Sequence, residues 1–427
     1  RERADVGTSA AWLSVLFSLS VVAAYWLEQR IPFDPFSMYT QKMQLLFMLA
    51  TYIVVAVPFF FAGLILALLF TRFSWAVNRL YGFDLAGAAV GCIAIVFTMP
   101  LLGGGGSVLL AAAFSGLAVI VFADRKSRLL RAIALLDVMM SILVSCHAAS
   151  WIPMRITPNK HLSSAVIKPV YTRWNTFSRV DLFLRKSRDF KSEIEPVIAI
   201  DQGTAATGLP YDMRPDVKSV LRRFSSDSLY NSCVAYLDRT APDVLVVGSG
   251  AGQQVLDALH AGAGKITAVD INPIITSLVG ENPYWADLFH QPQVRLFTDE
   301  GRNFIRSSRE RYDAIVSCHT ISNAAIASGA LSLTENYMFT REAFEDYYQH
   351  LTDSGILLIT RPEFQIPRLF TTARELMARN RVPDPALHLF AFTYPDQAFV
   401  KGRGSFHAVF MLSKTAFSPG QVERIRH

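Results

Sequence analysis

Residues 242–273 read PDVLVVGSGAGQQVLDALHAGAGKITAVDINP, and this stretch decides the fold. Val244–Val247 is a short, wholly apolar run of the kind that forms a buried strand. Gly248-Ser249-Gly250-Ala251-Gly252 follows, and a helix is expected from there to about Ala261. Glycines at a strand-to-helix turn let a ligand approach the backbone closely. Lys265–Val269 is a second strand. It ends in Asp270, twenty residues beyond Gly250, where a carboxylate can accept from both hydroxyls of a ribose.

The same alternation continues downstream. Val294–Phe297 predicts a third strand ending near Asp299, Ala314–Val316 a fourth and Ile356–Ile359 a fifth. Helices are expected from near Met338 and over Arg368–Arg379, and Leu387–Thr393 and Phe406–Leu412 close the sheet as an antiparallel pair. Alternating strands and helices build a doubly wound α/β sheet with ligands at the carboxyl ends of its strands. Dinucleotides and adenosyl cofactors both use such a glycine turn. Three features favour the adenosyl methionine type. The third glycine comes two residues after the second, not three. Asp299 is placed to reach an adenine amino group, and the sheet ends in an antiparallel pair. A dehydrogenase taking NAD is the lesser reading.

Upstream the texture differs. Of 427 residues, 51% are hydrophobic and only 18% charged, against about 25% charged in an ordinary soluble chain. That composition excludes a disordered protein, a nucleic-acid arm and an ordinary cytosolic enzyme. The net charge of +6 is spread along the chain and indicates no nucleic-acid partner. Five apolar runs crowd the first 150 residues: 10–27, 43–70, 85–102, 108–122 and 129–146. A membrane span needs about 20 apolar residues, so residues 1–150 are expected to form a transmembrane helical domain of about five spans. Gly103–Gly106 is expected to be a flexible, re-entrant turn. The acids Asp84 and Asp137 fall in apolar runs, where a charge is expensive, and pairing with Arg79 or Arg131 is expected. Residues 151–240 form a linker with Pro153, Pro158 and Pro169 and a small β-rich lead-in, and 241–427 the Rossmann-like domain. The cysteines 92, 146, 233 and 318 form no CxxC pair, and no metal site is expected. Starting at Arg1, the chain is expected to be a piece of a longer protein.

Arg72 and Arg79 precede the third apolar run, and Arg125, Lys126 and Arg128 the fifth, so these loops share a side that should be cytoplasmic. Five spans would then put the C-terminal half outside. The chemistry requires a cytosolic metabolite, so the soluble half is expected to be cytoplasmic, on a multi-pass protein of the inner membrane.

From about residue 165 to 412 the chain resembles the spermidine synthase family, on the stretch quoted above together with TDEGRNF (298–304) and YDAIVS (312–317). RLYGFDLAGAAVGC (79–92), VPFFFAGL (57–64) and TENYMFTREAFEDYYQHLTDSGILLITR (334–361) resemble the spermidine synthase-like integral membrane proteins. The resemblance implies a small β domain followed by a class I methyltransferase-like fold, with S-adenosylmethionine or its decarboxylated form as cofactor. Gly248, Gly250 and Gly252 would cradle it, Asp270 hold the ribose and Asp299 the adenine. Asp201 and Gly203 match the family's short D-G stretch.

Departures are equally clear. Where the family carries an acid after the fourth strand, this chain reads Val316-Ser317-Cys318-His319-Thr320-Ile321-Ser322, and the family's Y-H-E stretch reads Tyr230-Asn231-Ser232. Ser317 and His319 become the catalytic candidates, His319 as a base of suitable pKa. Tyr230, Glu335 and Tyr337 become the substrate candidates. Cys318 would be nucleophilic only with a lowered thiol pKa. The expected function is a membrane-bound transferase moving an aminopropyl or methyl group to a small-molecule acceptor, an amine or a lipid-soluble compound. A degenerate scaffold, sensor or accessory subunit is the alternative. A homodimer or a larger membrane complex is the expected assembly.

Overall fold

The computed structural model describes residues 2–34, 41–124, 127–154, 169–186, 194–200, 205–208, 231–236, 238–318, 337–395 and 406–426. The chain divides into two compact units: residues 1–166 with 172–181 and 200–203, and residues 167–171, 182–199 and 204–427.

The first unit is helical: α1 (Glu2–Glu28), α2 (Met43–Arg72), α3 (Val77–Phe122), α4 (Arg128–Cys146) and a short α5 (Ala148–Trp151). Four of its helices are long and apolar enough to cross a membrane. The apolar runs 85–102 and 108–122 are joined in α3, which leaves helical geometry only at Gly103 (φ 70, ψ 177). The chain therefore turns at Gly103, at the head of the expected turn, and Gly104–Gly106 already belong to the second helical segment, which runs from beside Tyr25 to beside Gly7. A Cβ at Gly103 would lie 2.9 Å from the Trp174 indole nitrogen. Beyond the break α3 runs antiparallel to α1. Ser115 Oγ donates to the Ser14 carbonyl at 2.7 Å, and a Cβ at Gly7 would meet the Phe122 carbonyl oxygen at 2.7 Å. Small residues also bring α4 onto α3: Ser145 Oγ donates to the Gly106 carbonyl at 2.7 Å. Asp137 does not pair with Arg131. It accepts from Ser18 Oγ on α1 at 2.6 Å. Asp84 is exposed and makes no ion pair among the described residues.

Four short strands follow, β1 (Tyr171–Trp174), β2 (Arg179–Lys186), β3 (Ile194–Ile200) and β4 (Ala205–Gly208), in a sheet of order β1-β2-β3-β4. The expected β-rich lead-in is therefore present.

The second unit is built on a seven-stranded sheet. Its strands are β5 (Asp243–Val247), β6 (Lys265–Asp270), β7 (Val294–Thr298), β8 (Tyr312–Cys318), β9 (Leu351–Pro362), β10 (Leu389–Pro395) and β11 (Phe406–Ser413). The order is β10-β11-β9-β8-β5-β6-β7. Strands β5 to β9 pair parallel, and β11 pairs antiparallel with both β9 and β10. Between them lie α6 (Gln253–His260), α7 (Pro273–Glu281), α8 (Ala286–Phe289), α9 (Gly301–Ser307), α10 (Arg341–His350) and α11 (Ile366–Arg379), with α12 (Pro419–Arg426) last. Val244–Val247 are all buried, as a central strand covered on both faces requires. Burying a side chain of this size contributes about 1.5–3 kcal/mol. Leu245, Ile315, Leu357, Phe344, Leu376 and Phe410 belong to the core on one face of the sheet. The chain winds from β5 through β6 to β7, then returns to place β8 on the other side of β5. The carboxyl ends of β5 and β8 are thus the switch point where α/β sheets open a crevice.

Candidate functional site

The glycine bend leaves β5 at this switch point. Gly248, Gly250 and Gly252 all have positive φ (74°, 49° and 92°), a conformation that costs other residues about 1 kcal/mol or more. Its amides are largely spent inside the fold. Gly248 N and Ser249 N both donate to the Val269 carbonyl, at 2.8 and 3.1 Å, and Gly252 N donates to the Ser249 carbonyl at 2.8 Å. Gly250 N donates to Asp270 Oδ2 at 2.9 Å.

Asp270 therefore faces the bend. It is 7% exposed, and its other oxygen accepts from Asn272 N at 2.9 Å. Burial raises its pKa, while the two backbone hydrogen bonds pull it down. Asn272 caps α7 by accepting from Ile274 N at 3.1 Å, which fixes the chain just beyond the acid. Asp299 N donates to the Asp270 carbonyl at 3.1 Å, so the two acids stand on adjoining strand ends. The Asp299 carboxylate accepts from Glu300 N at 2.8 Å and from Asn303 Nδ2 at 3.0 Å.

Gly252 has a second task. A Cβ there would lie 2.8 Å from Leu288 Cδ2 and 2.9 Å from Phe289 Cε2, so this glycine also lets α8 pack on the bend. Ser317 is buried near the end of β8. Cys318 is buried beside it and accepts from Thr360 Oγ1 at 3.3 Å. Burial pushes its thiol up to about 12, the opposite of what a nucleophile needs. Tyr337 is 55% exposed and lines a cavity of about 670 Å³ with Glu300, Arg302, Asn303, Arg306 and Ser307. That cavity adjoins Asp299 through Asn303. His319, Tyr230, Glu335, Asp201 and Gly203 lie outside the described residues.

One constellation was missed in the sequence. Asp257, in α6, is completely buried. It accepts from Gln253 Nε2 at 3.0 Å and from Ser232 Oγ, in the 3₁₀ helix Asn231–Tyr236. The signal available was a glutamine and an acid at i and i+4, Gln253 and Asp257, in a helix whose middle is apolar. Among the described residues no group of three or more His, Cys, Asp or Glu side chains is placed to hold a metal ion.

No family model matches the chain. Curated relatives do. A polyamine aminopropyltransferase of Clostridium perfringens is 26% identical over 216 residues, covering 49% of this chain and 65% of that protein. That of Korarchaeum cryptofilum is 24% identical over 153 residues (33% and 43%). Polyamine aminopropyltransferase 1 of Pseudomonas aeruginosa is 27% identical over 135 residues (30% and 44%). The chain spans less than two thirds of the length of these relatives. Among solved structures, a spermidine synthase bound to the transition-state analogue AdoDATO aligns with TM-score 0.38 and 14% identity, over 64% of this chain and 88% of that one. The spermidine synthase of Thermotoga maritima aligns with TM-score 0.37 and 14% identity, over 61% and 79%. In sequence the chain is similar to the polyamine aminopropyltransferases over about a third to a half of its length.

Proposed function

We propose that the second unit binds S-adenosylmethionine or its decarboxylated form and transfers a methyl or aminopropyl group to a small-molecule acceptor, an amine or a lipid-soluble compound. The observation that carries this reading is Asp270, buried at the end of β6 and hydrogen-bonded to the Gly250 amide of the bend. Each of its oxygens keeps a lone pair for a ribose hydroxyl, and its neighbour Asp299 offers an acceptor for an adenine amino group. NAD fits this bend poorly. A pyrophosphate needs unspent amides, and here Gly248, Ser249, Gly250 and Gly252 have given theirs to the protein. A carboxylate at the same place repels phosphate and suits a sulfonium. The sulfonium carbon is activated already, so the residues here contribute position more than chemistry.

Calorimetric titration of the full chain with both cofactors tests this reading. We expect binding of at least one, weakened about tenfold or more by Asp270→Asn, the loss of hydrogen bonds to a charged group. Failure of the wild-type chain to bind either removes the transferase.

The membrane assignment belongs to the same proposal: a multi-pass protein of the inner membrane whose second unit meets its cofactor in the cytoplasm, as a homodimer or within a larger complex. One observation favours the alternative of a degenerate accessory subunit. In the helical unit Arg72 lies near Ser9 and Leu13, toward the start of α1, and α4 begins there with Arg128 and Arg131. The chain leaves at Ile152, whose carbonyl accepts from Tyr25 near the other end of α1 at 3.4 Å. By the positive-inside rule the basic end is cytoplasmic, which would carry the continuation to the far side, away from cytosolic cofactor. A C-terminal reporter decides between them: cytoplasmic signal supports the transferase, and external signal supports the accessory subunit.

A further inference from the structure

The glycine bend, Gly248-Ser249-Gly250-Ala251-Gly252, carries no charged side chain. A sulfonium donor also has an ammonium on its tail, and that group needs acceptors. They begin one residue beyond the bend. Asp257 accepts from Gln253 Nε2 at 3.0 Å. A carboxylate only accepts, so the Gln253 amide is obliged to turn its NH₂ toward Asp257 and its oxygen away. That oxygen, Gln253 Oε1, is buried and has no hydrogen-bond partner among the described residues. The Tyr236 hydroxyl is likewise buried and without a partner among the described residues, and it feels the charge of Asp257. Ser232 Oγ, from the same 3₁₀ helix as Tyr236, donates to the other oxygen of Asp257. The network is thus satisfied around the carboxylate and left open at two atoms. A buried acceptor without a partner loses its solvation uncompensated, a cost that a ligand carrying N–H donors removes. With Asp257 adding negative charge, the donor that fits is a primary ammonium.

We propose that Asp257, acting through Gln253, builds a subsite for a primary ammonium group, with Gln253 Oε1 and the Tyr236 hydroxyl as its acceptors. The subsite rests on the cofactor-binding reading above. It supplies from α6 a carboxylate that the stretch after β8 lacks, and Asp257 is a positioning residue, since both its oxygens are engaged by the protein. The ammonium belongs either to the donor's tail or to an acceptor amine, and the two sources are separable.

The test is calorimetry on the full chain in detergent with three probes: an adenosyl thioether carrying an aminopropyl chain, the same thioether capped by a methyl group, and a linear diamine alone. If the donor's tail occupies the subsite, the wild type binds the aminopropyl compound about tenfold or more tighter than the methyl one. Gln253→Met and Asp257→Asn then each bring that ratio close to one and leave methyl thioether affinity unchanged, which also reports that the variants are folded. If an acceptor amine occupies it, the two thioethers bind alike, and the diamine binds the wild type but neither variant. A tenfold preference that survives both substitutions overturns the subsite, and so does a wild type with neither preference nor diamine binding. Loss of methyl thioether binding alone, with diamine binding still sensitive to both substitutions, overturns the nucleoside site and leaves this subsite standing.

Discussion

Burial pushes the Asp257 carboxyl from its ordinary 3.8 up to about 6, against the hydrogen bonds from Ser232 and Gln253 that pull it down. The sign of the consequence follows by linkage. The native state keeps this proton up to about pH 6, whereas the unfolded chain releases it near pH 4, so rising pH removes stability across that window and leaves it removed above. At about 1.4 kcal/mol per pKa unit the loss is roughly 3 kcal/mol, and we expect denaturant unfolding of Asp257→Asn to show a flatter profile between pH 4 and 6. Gly252 gives a second prediction at this scale. With φ at 92° and Leu288 Cδ2 2.8 Å from any added Cβ, Gly252→Ala combines backbone strain with overpacking. A loss of about 1–3 kcal/mol is expected, read as a lower thermal midpoint. Cys318, buried with its thiol raised to about 12, is expected to resist iodoacetamide at neutral pH until the chain unfolds, as mass spectrometry of the alkylated peptide would show.

At the scale of the element, the strands of the second unit were the most legible part of the sequence. β5, β6 and β8 are short apolar runs bounded by turn residues, and such runs have few alternatives to a buried parallel sheet. The acids Asp270 and Asp299 were legible for the same reason, since strand ends fix them. Asp257 was not, because its meaning depends on Ser232, which comes from a separate 3₁₀ helix and reaches α6 only in the folded chain. The helical unit misled in a different way. Gly103 breaks the helix where a turn was expected, but Gly104–Gly106 are helical, since among packed apolar helices small residues draw the neighbours in. Asp137 illustrates the same limit: Arg131 was the nearer partner in sequence, but Ser18 on another helix is the partner in space. At Gly116 this packing is tight, with any Cβ 2.7 Å from Val138 Cγ2. Gly116→Val is expected to separate α3 from α4 and lower the amount of full-length protein recovered from membranes, measured beside Gly91→Val, where a Cβ meets nothing within 4 Å.

For the whole molecule, the two units make different demands on their surroundings. α2 and α3 expose Phe59, Phe60, Ile93, Phe97 and Leu101 to whatever surrounds them, a surface that water does not tolerate at this density. Carbonate washing is expected to leave the full chain in the membrane pellet and detergent to release it, and appearance in the soluble fraction would contradict the membrane reading. The second unit has a consequence of its own. Because the turn after β5 has already used its donors on Val269, Asp270 and Ser249, it has little to offer a phosphoryl group. On the proposed cofactor reading, nucleoside phosphates such as ATP and NAD are expected to compete weakly there, and occupancy would follow the supply of the methionine-derived donor and not the cell's energy charge.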